Sequence, residues 1–217
     1  MNREKERNKS FYDKGYFELL EAMKENTCPV CFLIKKSELS FMNTLFYEFV
    51  NDSRIRRKLR YSLGFCRLHA HLAIQTGTPL GIAIIYEDIT LTIKEKMKKE
   101  NELFSPGEGC LACKMVKEVE EQYIRVFLKN FSEKNFQDTY RNSFGLCMPH
   151  FLQAYLKLPK KEKKMLKECQ LQKLENYVLQ LQDFIRKHEY RFSHEEFGEE
   201  AAAWKKVVEK IVGEHLG

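Results

Sequence analysis

The sequence predicts an all-α protein with two pseudo-repeated helical units, each centred on a metal site of three cysteines and one histidine. A long C-terminal helix and a docking tail helix are expected to follow them. Two observations predict this fold class. Apolar residues recur at helical spacing along most of the chain, and six of the seven cysteines fall into two matching sets of three. A histidine completes each set.

Each set consists of a Cys-x2-Cys pair and a later Gly-x-Cys-x2-His segment, with 34 residues between Cys31 and Cys66 in the first set and 33 between Cys113 and Cys147 in the second. A Cys-x2-Cys pair brings two thiolates to one side of a turn or helix start, and the Cys-x2-His pair adds two more donors. Three cysteines and one histidine suit one tetrahedral zinc ion. The candidate metal ligands are Cys28, Cys31, Cys66 and His69 for the first site, and Cys110, Cys113, Cys147 and His150 for the second.

This pattern predicts about two zinc ions per chain, one for each four-ligand set. Iron–sulfur clusters are the alternative, because cysteine ligation suits them and histidine can replace a cysteine. A variant joins all eight residues into one shared centre. The competing interpretation, ordinary buried cysteines beside a hydrogen-bonded histidine, is less favoured because the arrangement occurs twice.

Ahead of Pro79 the chain shows four helical patterns. The turn Asn51-Asp52-Ser53 caps the third of them, and Gly64 ends it. A helix over Cys66–Gln75 places its cysteine and histidine, three residues apart, on one face. The first two helices are predicted over residues 10–25 and from Cys31 to about Val50, and the third runs to Ser62.

The segment from Pro79 to about Lys99 is rich in β-branched residues, so a strand is possible locally. A helix is preferred, because isoleucines recur at helical spacing and a proline suits a first helical turn. Residues 105–109 then form a loop between the halves. The isoleucines concerned are Ile82, Ile85, Ile89 and Ile93.

The second half repeats the first beyond its ligands. A shift of 82 residues superimposes apolar positions, and after the loss of one residue a shift of 81 superimposes Gly64 on Gly145 and Cys66 on Cys147. The predicted domains are 1–104 and 105–158 for the metal-binding units and 159–217 for the C-terminal helices, together forming one compact domain. The apolar matches are Met42 with Ile124, Leu45 with Phe127, Phe46 with Leu128 and Phe49 with Phe131.

The C-terminal region is predicted to hold a long helix from Pro159 to about His188. Its narrow apolar seam is expected to pack within the chain, with a homodimer contact as the alternative, so the chain is a monomer or a homodimer. The following helix is expected to dock on the body through an apolar face. The seam residues are Leu171, Leu174, Val178, Leu181 and Ile185, and the docking residues are Trp204, Val207, Val208 and Ile211.

The charge pattern does not decide a partner. A formal charge of +6 and a pI near 8.8 are mildly basic, and the clusters at Arg54–Arg67 and Lys157–Lys167 are interpreted first as solvated helix faces. Nucleic-acid binding through Arg54–Arg67 is the alternative. The polar first residues indicate no secretory signal, and no run of apolar residues spans a membrane, so a cytoplasmic location with reduced thiols is expected.

These motifs resemble an uncharacterised family of bacterial cytoplasmic proteins, a domain of unknown function. The resemblance covers most of the chain and implies the same fold and metal, but no activity. Its motifs are the eight candidate ligands followed by His188, Tyr190, Arg191, Phe192, Gly198, Glu199, Glu200 and Trp204. In the second copy Leu111 replaces the proline found at Pro29, which alters the turn and leaves the ligand set intact.

The sequence therefore favours a zinc-stabilised helical protein that acts as a binding module, with an unknown protein partner. An iron–sulfur redox or oxidant-sensing protein and a nucleic-acid-binding protein are the alternatives. Enzymatic activity has the least support, because the chain shows no phosphate-binding glycine loop, no nucleophile–base motif and no open metal site. Acidic and histidine residues at His188, His194, Glu195 and Glu196 fit no metal motif, and capping and salt bridges are expected there.

Overall fold

The computed structural model describes residues 14–98, 109–192 and 194–214. Within these ranges every regular element is helical and there is no strand, which confirms the predicted fold class. The predictions for residues 1–13 and for the loop at 105–108 lie outside the described residues. The helices are α1 (14–22), α2 (Pro29–Glu48), α3 (Ser53–Ser62), α4 (Arg67–Thr76), α5 (Pro79–Met97), α6 (Leu111–Asn130), α7 (Lys134–Asn142), α8 (Met148–Lys157), α9 (Lys160–Lys187) and α10 (Ala203–Val212).

Four helices begin directly after a cysteine. The carbonyl oxygens of these cysteines accept the N–H of the residue four positions on, at 2.8–3.1 Å, which is the first hydrogen bond of each helix. The second ligand of each motif therefore stands at the third helical position, the place whose side chain faces the capping residue. Two residues separate the ligands of each pair because the first ligand caps a helix and the second lies in the first turn of that helix. The capping cysteines are Cys28 before α2, Cys66 before α4, Cys110 before α6 and Cys147 before α8.

The turns into α4 and α8 each need a glycine. Gly64 has a φ of 97° and Gly145 a φ of 78°, values at which a side chain would strain the backbone. Each stands two residues before a capping cysteine. The two predicted repeats therefore share this backbone conformation at equivalent positions.

Helix α5 confirms the helical interpretation of the β-branched segment. Thr78 caps it by accepting the N–H of Gly81 at 3.1 Å, and Pro79 occupies its first turn. Ile85 and Ile89, four residues apart, are both buried. The helical spacing of the isoleucines decides the outcome, because it puts them on one face.

Contacts within the chain divide it into two units. Unit 1 contains 14–33 and 121–214, and unit 2 contains 34–98 and 109–120. The boundary between the units falls within two helices. In α2, residues 29–33 belong to unit 1 and the rest to unit 2. In α6, residues 111–120 belong to unit 2 and the rest to unit 1. A division by contacts does not test which parts fold independently, so the boundaries predicted at 104/105 and 158/159 stay a prediction.

Each unit has its own apolar core. In unit 1, four aromatic side chains from α6, from the residue that follows it and from α7 are fully buried, with ring centroids 5.0–5.5 Å apart. These are Phe127, Phe131, Phe136 and Tyr140. The core of unit 2 draws on α2 to α6 and includes Met42, Leu45, Phe46, Leu59, Leu72, Ile85, Ile89 and Ala112.

Two predictions about buried faces are wrong. On α9 three of the five seam residues, Leu171, Val178 and Ile185, are exposed, whereas Leu174 and Leu181 are half-buried, so the seam as a whole is not buried within the chain and its homodimer alternative stays a prediction. The tail helix α10 contacts α8 and α9, as predicted, but its most buried face is a different one, and of the four predicted docking residues only Val207 is half-buried. Ala203 and Lys210 are fully buried there, whereas the predicted docking residue Trp204 is exposed, as are Val208 and Ile211.

Candidate metal centres

The eight candidate ligands form two groups of four, but in a different combination from the one predicted. The first centre joins the Cys-x2-Cys pair of the first repeat to the Cys-x2-His pair of the second, and the second centre joins the remaining pairs. The predicted combination within each repeat is therefore wrong, and so is a single shared centre. The first centre is Cys28, Cys31, Cys147 and His150; the second centre is Cys66, His69, Cys110 and Cys113.

The crossed combination agrees with the division of the chain into units. The four residues of the first centre all lie in unit 1, and those of the second centre all lie in unit 2. The first centre joins the start of α2 to the start of α8, with Cys28 and His150 122 residues apart in sequence. The second joins the starts of α4 and α6, with Cys66 and Cys113 47 residues apart.

Donor atoms in the first centre are close enough to share one ion. Nδ1 of His150 lies 3.5 Å from Sγ of Cys28, 3.4 Å from Sγ of Cys31 and 3.1 Å from Sγ of Cys147. The sulfurs of Cys31 and Cys147 are 3.7 Å apart. All four residues are buried.

The second centre has the same geometry. Nδ1 of His69 lies 3.0 Å from Sγ of Cys66, 3.6 Å from Sγ of Cys110 and 3.3 Å from Sγ of Cys113. The sulfurs of Cys66 and Cys113 are 3.6 Å apart. In a tetrahedral zinc site, bonds of about 2.3 Å to sulfur and about 2.0 Å to nitrogen place the donors about 3.5–3.8 Å apart. The sulfur–sulfur distances of 3.6 and 3.7 Å match this spacing, and the sulfur–nitrogen distances of 3.0–3.6 Å lie at it or up to about 0.5 Å below it.

The helix starts supply favourable electrostatics. Each centre receives the positive ends of two helices, which stabilise thiolates. In the second centre the backbone N–H groups of Ala112 and Cys113 contribute to the ionisation of Cys110. Burial opposes that ionisation, yet these bonds and His69 together lower the pKa of Cys110 to about 6.

Without a metal, the thiols of one centre cannot all ionise. Hydrogen bonds to Cys147 and Cys28, together with burial, raise the pKa of Cys31 far above its usual range. Burial and the neighbouring Cys66 raise the pKa of Cys113 to about 12. Three crowded thiolates repel one another unless a cation replaces their protons, which is the role of a bound divalent metal.

Glu38 is a functional residue that the sequence analysis missed. Its Oε1 lies 2.7 Å from Nε2 of His69, and both side chains are almost fully buried. Contacts with Cys110 and then Glu38 raise the pKa of His69 to about 10. This carboxylate fixes the ring so that Nδ1 faces the sulfurs, a common arrangement around metal-binding histidines.

The sequence did contain a signal for Glu38. It stands seven residues after Cys31, and Glu120 stands seven residues after Cys113, so both repeats carry a glutamate at this offset. The signal is weak because a glutamate is common on a helix.

Lys210 is a second missed residue, and it lies in unit 1. It is fully buried, and its Nζ donates to the carbonyl oxygen of Phe144 at 2.8 Å. Burial lowers the pKa of Lys210 to about 7, and the thiolates of Cys28 and Cys147 oppose that shift. Helix α10 therefore places a buried amine near the first centre, and with this pKa it carries a positive charge in only part of the molecules near pH 7.

The acidic and histidine residues of the tail do not form a metal site. Glu195 accepts from Arg186 at 2.6 and 2.8 Å, and His188 Nδ1 lies 2.8 Å from the carbonyl oxygen of Phe184. These are the salt bridges and backbone contacts that the sequence predicted for them. The eight cysteine and histidine ligands remain the candidate metal residues among the described ones.

The fold and the two centres define an all-helical, two-repeat protein with paired three-cysteine, one-histidine groups able to hold metal. A model of the family of unknown function DUF6062 matches the chain twice, over residues 16–109 and 105–216. The chain belongs to this family, which confirms the resemblance to a domain of unknown function. The double match also agrees with the internal repeat.

One bacterial relative aligns with nearly the whole chain. The chain is 27% identical over 205 residues to an uncharacterized 23.9 kDa protein in the xynA 3' region of Caldicellulosiruptor sp. (strain Rt8B.4). The alignment covers 90% of this chain and 99% of the relative. No solved structure matches the chain.

Proposed function

We propose that this protein is a zinc-stabilised helical binding module in which two zinc ions have a structural role. The observation that carries the proposal is the grouping of the donor atoms at the starts of two helices in each centre, with the close pairs 3.0–3.7 Å apart and all four atoms within 4.8 Å of one another. A zinc ion in each centre ties together segments far apart in sequence. Its binding free energy is then part of the folding free energy.

The number of protein ligands favours a structural role over catalysis. Three thiolates and an imidazole fill a tetrahedral site, which leaves no position for an activated water molecule. The centres thus resemble closed structural sites in their donor set. Enzymatic activity finds no support in this arrangement.

Iron–sulfur clusters have less support than zinc. The ligands of a cluster bind different metal atoms with sulfides between them, so they stand farther apart than the ligands of one ion. Here all four donor atoms of each centre lie within 4.8 Å of one another. That spacing favours a single ion, and zinc is the common choice for this donor set.

Nucleic-acid binding through the arginine cluster also has less support. Arg56 and Arg60 both donate to Asp88 of α5, at 3.0 and 2.6 Å, and Arg54 pairs with Asp52. Part of the cluster thus stabilises unit 2 instead of facing phosphate.

A protein partner fits the exposed apolar side chains. Trp204, Val208 and Ile211 lie on one side of α10 and are 48–57% exposed. Apolar side chains grouped on a surface helix commonly mark contacts with other proteins. None of the helices in the described ranges is long and apolar enough to cross a membrane. A cytoplasmic location remains part of the proposal.

Metal analysis of paired variants tests both the ions and the crossed combination. The wild-type protein, purified without air, should contain about two zinc ions per chain. Cys31→Ser with Cys147→Ser should remove one ion, because both residues belong to the first centre. Cys31→Ser with Cys66→Ser should remove both. The opposite pattern would restore the combination within each repeat, and a wild-type protein without zinc would overturn the proposal.

A further inference from the structure

The two centres differ in the exposure of their sulfurs. In the first centre all four ligands are buried. Gly213, just after α10, stands so close to this centre that a Cβ there would lie 3.5 Å from the sulfur of Cys31 and 3.6 Å from that of Cys147. In the second centre Cys113 is exposed and Cys66 is half-buried. Small reagents in water can therefore reach a sulfur of the second centre.

The charges around the centres differ as well. One Zn²⁺ and three thiolates carry a net charge of −1. In unit 1 the buried Lys210 offsets this charge when it is protonated, whereas in unit 2 the carboxylate of Glu38 adds a negative charge through His69. The cations that flank the second centre in sequence, Arg67 and Lys114, are exposed, so water screens them. Its thiolates are the more electron-rich.

Two sulfurs of the second centre are also placed for bond formation. The sulfurs of Cys66 and Cys113 are 3.6 Å apart and come from different helices, α4 and α6. A disulfide needs about 2.0 Å, so the sulfurs must approach by about 1.6 Å. Rotation of the exposed Cys113 side chain could supply much of this movement. Its exposure makes this easier than at the buried pair Cys31 and Cys147.

We propose that the second centre is a modification site for hydroperoxides, with Cys113 as the nucleophile and Cys66 as the resolving thiolate. The inference rests on the proposed zinc function. The Cys113 thiolate attacks one peroxide oxygen, the O–O bond breaks, and a sulfenic acid and hydroxide form. The Cys66 thiolate then attacks that sulfur, the S–O bond breaks, and a disulfide and a second hydroxide form. Two sulfurs are oxidised, two peroxide oxygens are reduced, and solvent protons convert both hydroxides to water.

The consequence is a change confined to unit 2. A disulfide removes two of the four zinc ligands, so the ion leaves Cys110 and His69. The buried first centre keeps its ion. Hydroperoxide thus regulates one of the two zinc sites and leaves the other as a structural anchor.

Zinc release from the intact, zinc-loaded protein tests the inference. Hydrogen peroxide is added in increasing amounts, a chromogenic chelator follows free zinc, and peptide mapping locates disulfides. One of the two ions should be released, together with a disulfide between Cys66 and Cys113. Release of both ions at similar rates, or a disulfide between Cys31 and Cys147, would overturn the proposal. So would retention of both ions, although the structural zinc function would then stand.

Two ligand-conserving variants separate the nucleophile from the metal site. Cys113→His and Cys110→His give the second centre the same donor set, two cysteines and two histidines, which zinc accepts. Cys113→His should retain zinc under peroxide, whereas Cys110→His, which keeps both reacting sulfurs, should release it. Equal sensitivity of the two would contradict the assignment. If neither variant binds zinc, the disulfide map of the wild-type protein decides the question, and zinc-free wild-type protein would reject the underlying function.

Discussion

The two centres share a ligand set, helix-start geometry and donor spacing, yet their surroundings differ. The first is buried, with Gly213 against its sulfurs and the ammonium of Lys210 nearby. The second has an exposed cysteine and a buried glutamate on its histidine. The repeated motif thus supplies the same candidate metal-binding atoms twice, whereas the surrounding helices give the two centres different burial and different neighbouring groups.

Substitution of one ligand should reveal the largest difference in stability between the two centres. Cys147→Ser should destabilise the protein more than Cys66→Ser, because it leaves the first centre incomplete in the interior of unit 1. Removal of one partner of a buried charge group costs about 3–5 kcal/mol, and water can reach the second centre to reduce that cost. Thermal and urea unfolding of the zinc-loaded variants measure the difference. Equal losses would show that burial of the ligands does not separate the centres.

Zinc binding at the second centre should strengthen as pH rises. In the metal-free protein His69 has a pKa of about 10 and Cys113 a pKa of about 12, so both hold protons near neutral pH. Zinc must displace these protons, so binding releases them and weakens as pH falls. These two displaced protons alone give about a hundredfold change in affinity per pH unit. Chelator competition at several pH values measures the slope, and a flat profile would contradict the assigned ligands.

Lys210→Met should weaken the first centre. The change removes a cation from the surroundings of a negatively charged centre and leaves the Phe144 carbonyl without its 2.8 Å donor. An unsatisfied buried acceptor costs about 1–3 kcal/mol. The loss should be larger in zinc-loaded than in metal-free protein, as measured by unfolding with and without chelator. Lys205→Met, on the exposed side of the same helix, is the matched control and should change little.

Glu38→Gln should weaken the second centre alone. An amide still reaches His69 but lacks the negative charge that strengthens the imidazole as a ligand. Loss of such a contact typically lowers metal affinity about 10–100-fold. Competition with a chelator should then show one zinc ion bound with lower affinity and the other bound with unchanged affinity. Lower affinity for both zinc ions would mean that Glu38 acts by stabilising the whole protein and not by contacting the second centre.

Much of the helical pattern could be predicted from the sequence because local rules govern it. The cap at Asp52, the break at Gly64 and the helix from Pro79 follow from residues within a few positions of each other. The spacing of each ligand pair is equally local, since it is the distance from a capping residue to the first helical turn. These features need no knowledge of distant contacts.

Which faces of α9 and α10 are buried could not be predicted in the same way. Periodicity identified apolar stripes, but Leu171, Val178 and Trp204 are exposed, while Lys210 is buried. A lysine is buried only where a specific partner offsets the cost, and the Phe144 carbonyl comes from a distant turn. Nothing within α10 reveals that partner.

The sequence by itself determined the helical class, the internal repeat and the eight residues able to bind metal. Tertiary structure alone decided their combination, because a Cys-x2-Cys pair supplies half a site and either Cys-x2-His pair can complete it. Sequence proximity favoured partners about 35 residues away. The folded chain instead brings α2 to α8 and α4 to α6, since metal geometry depends on which helix starts meet in space and not on their order along the chain.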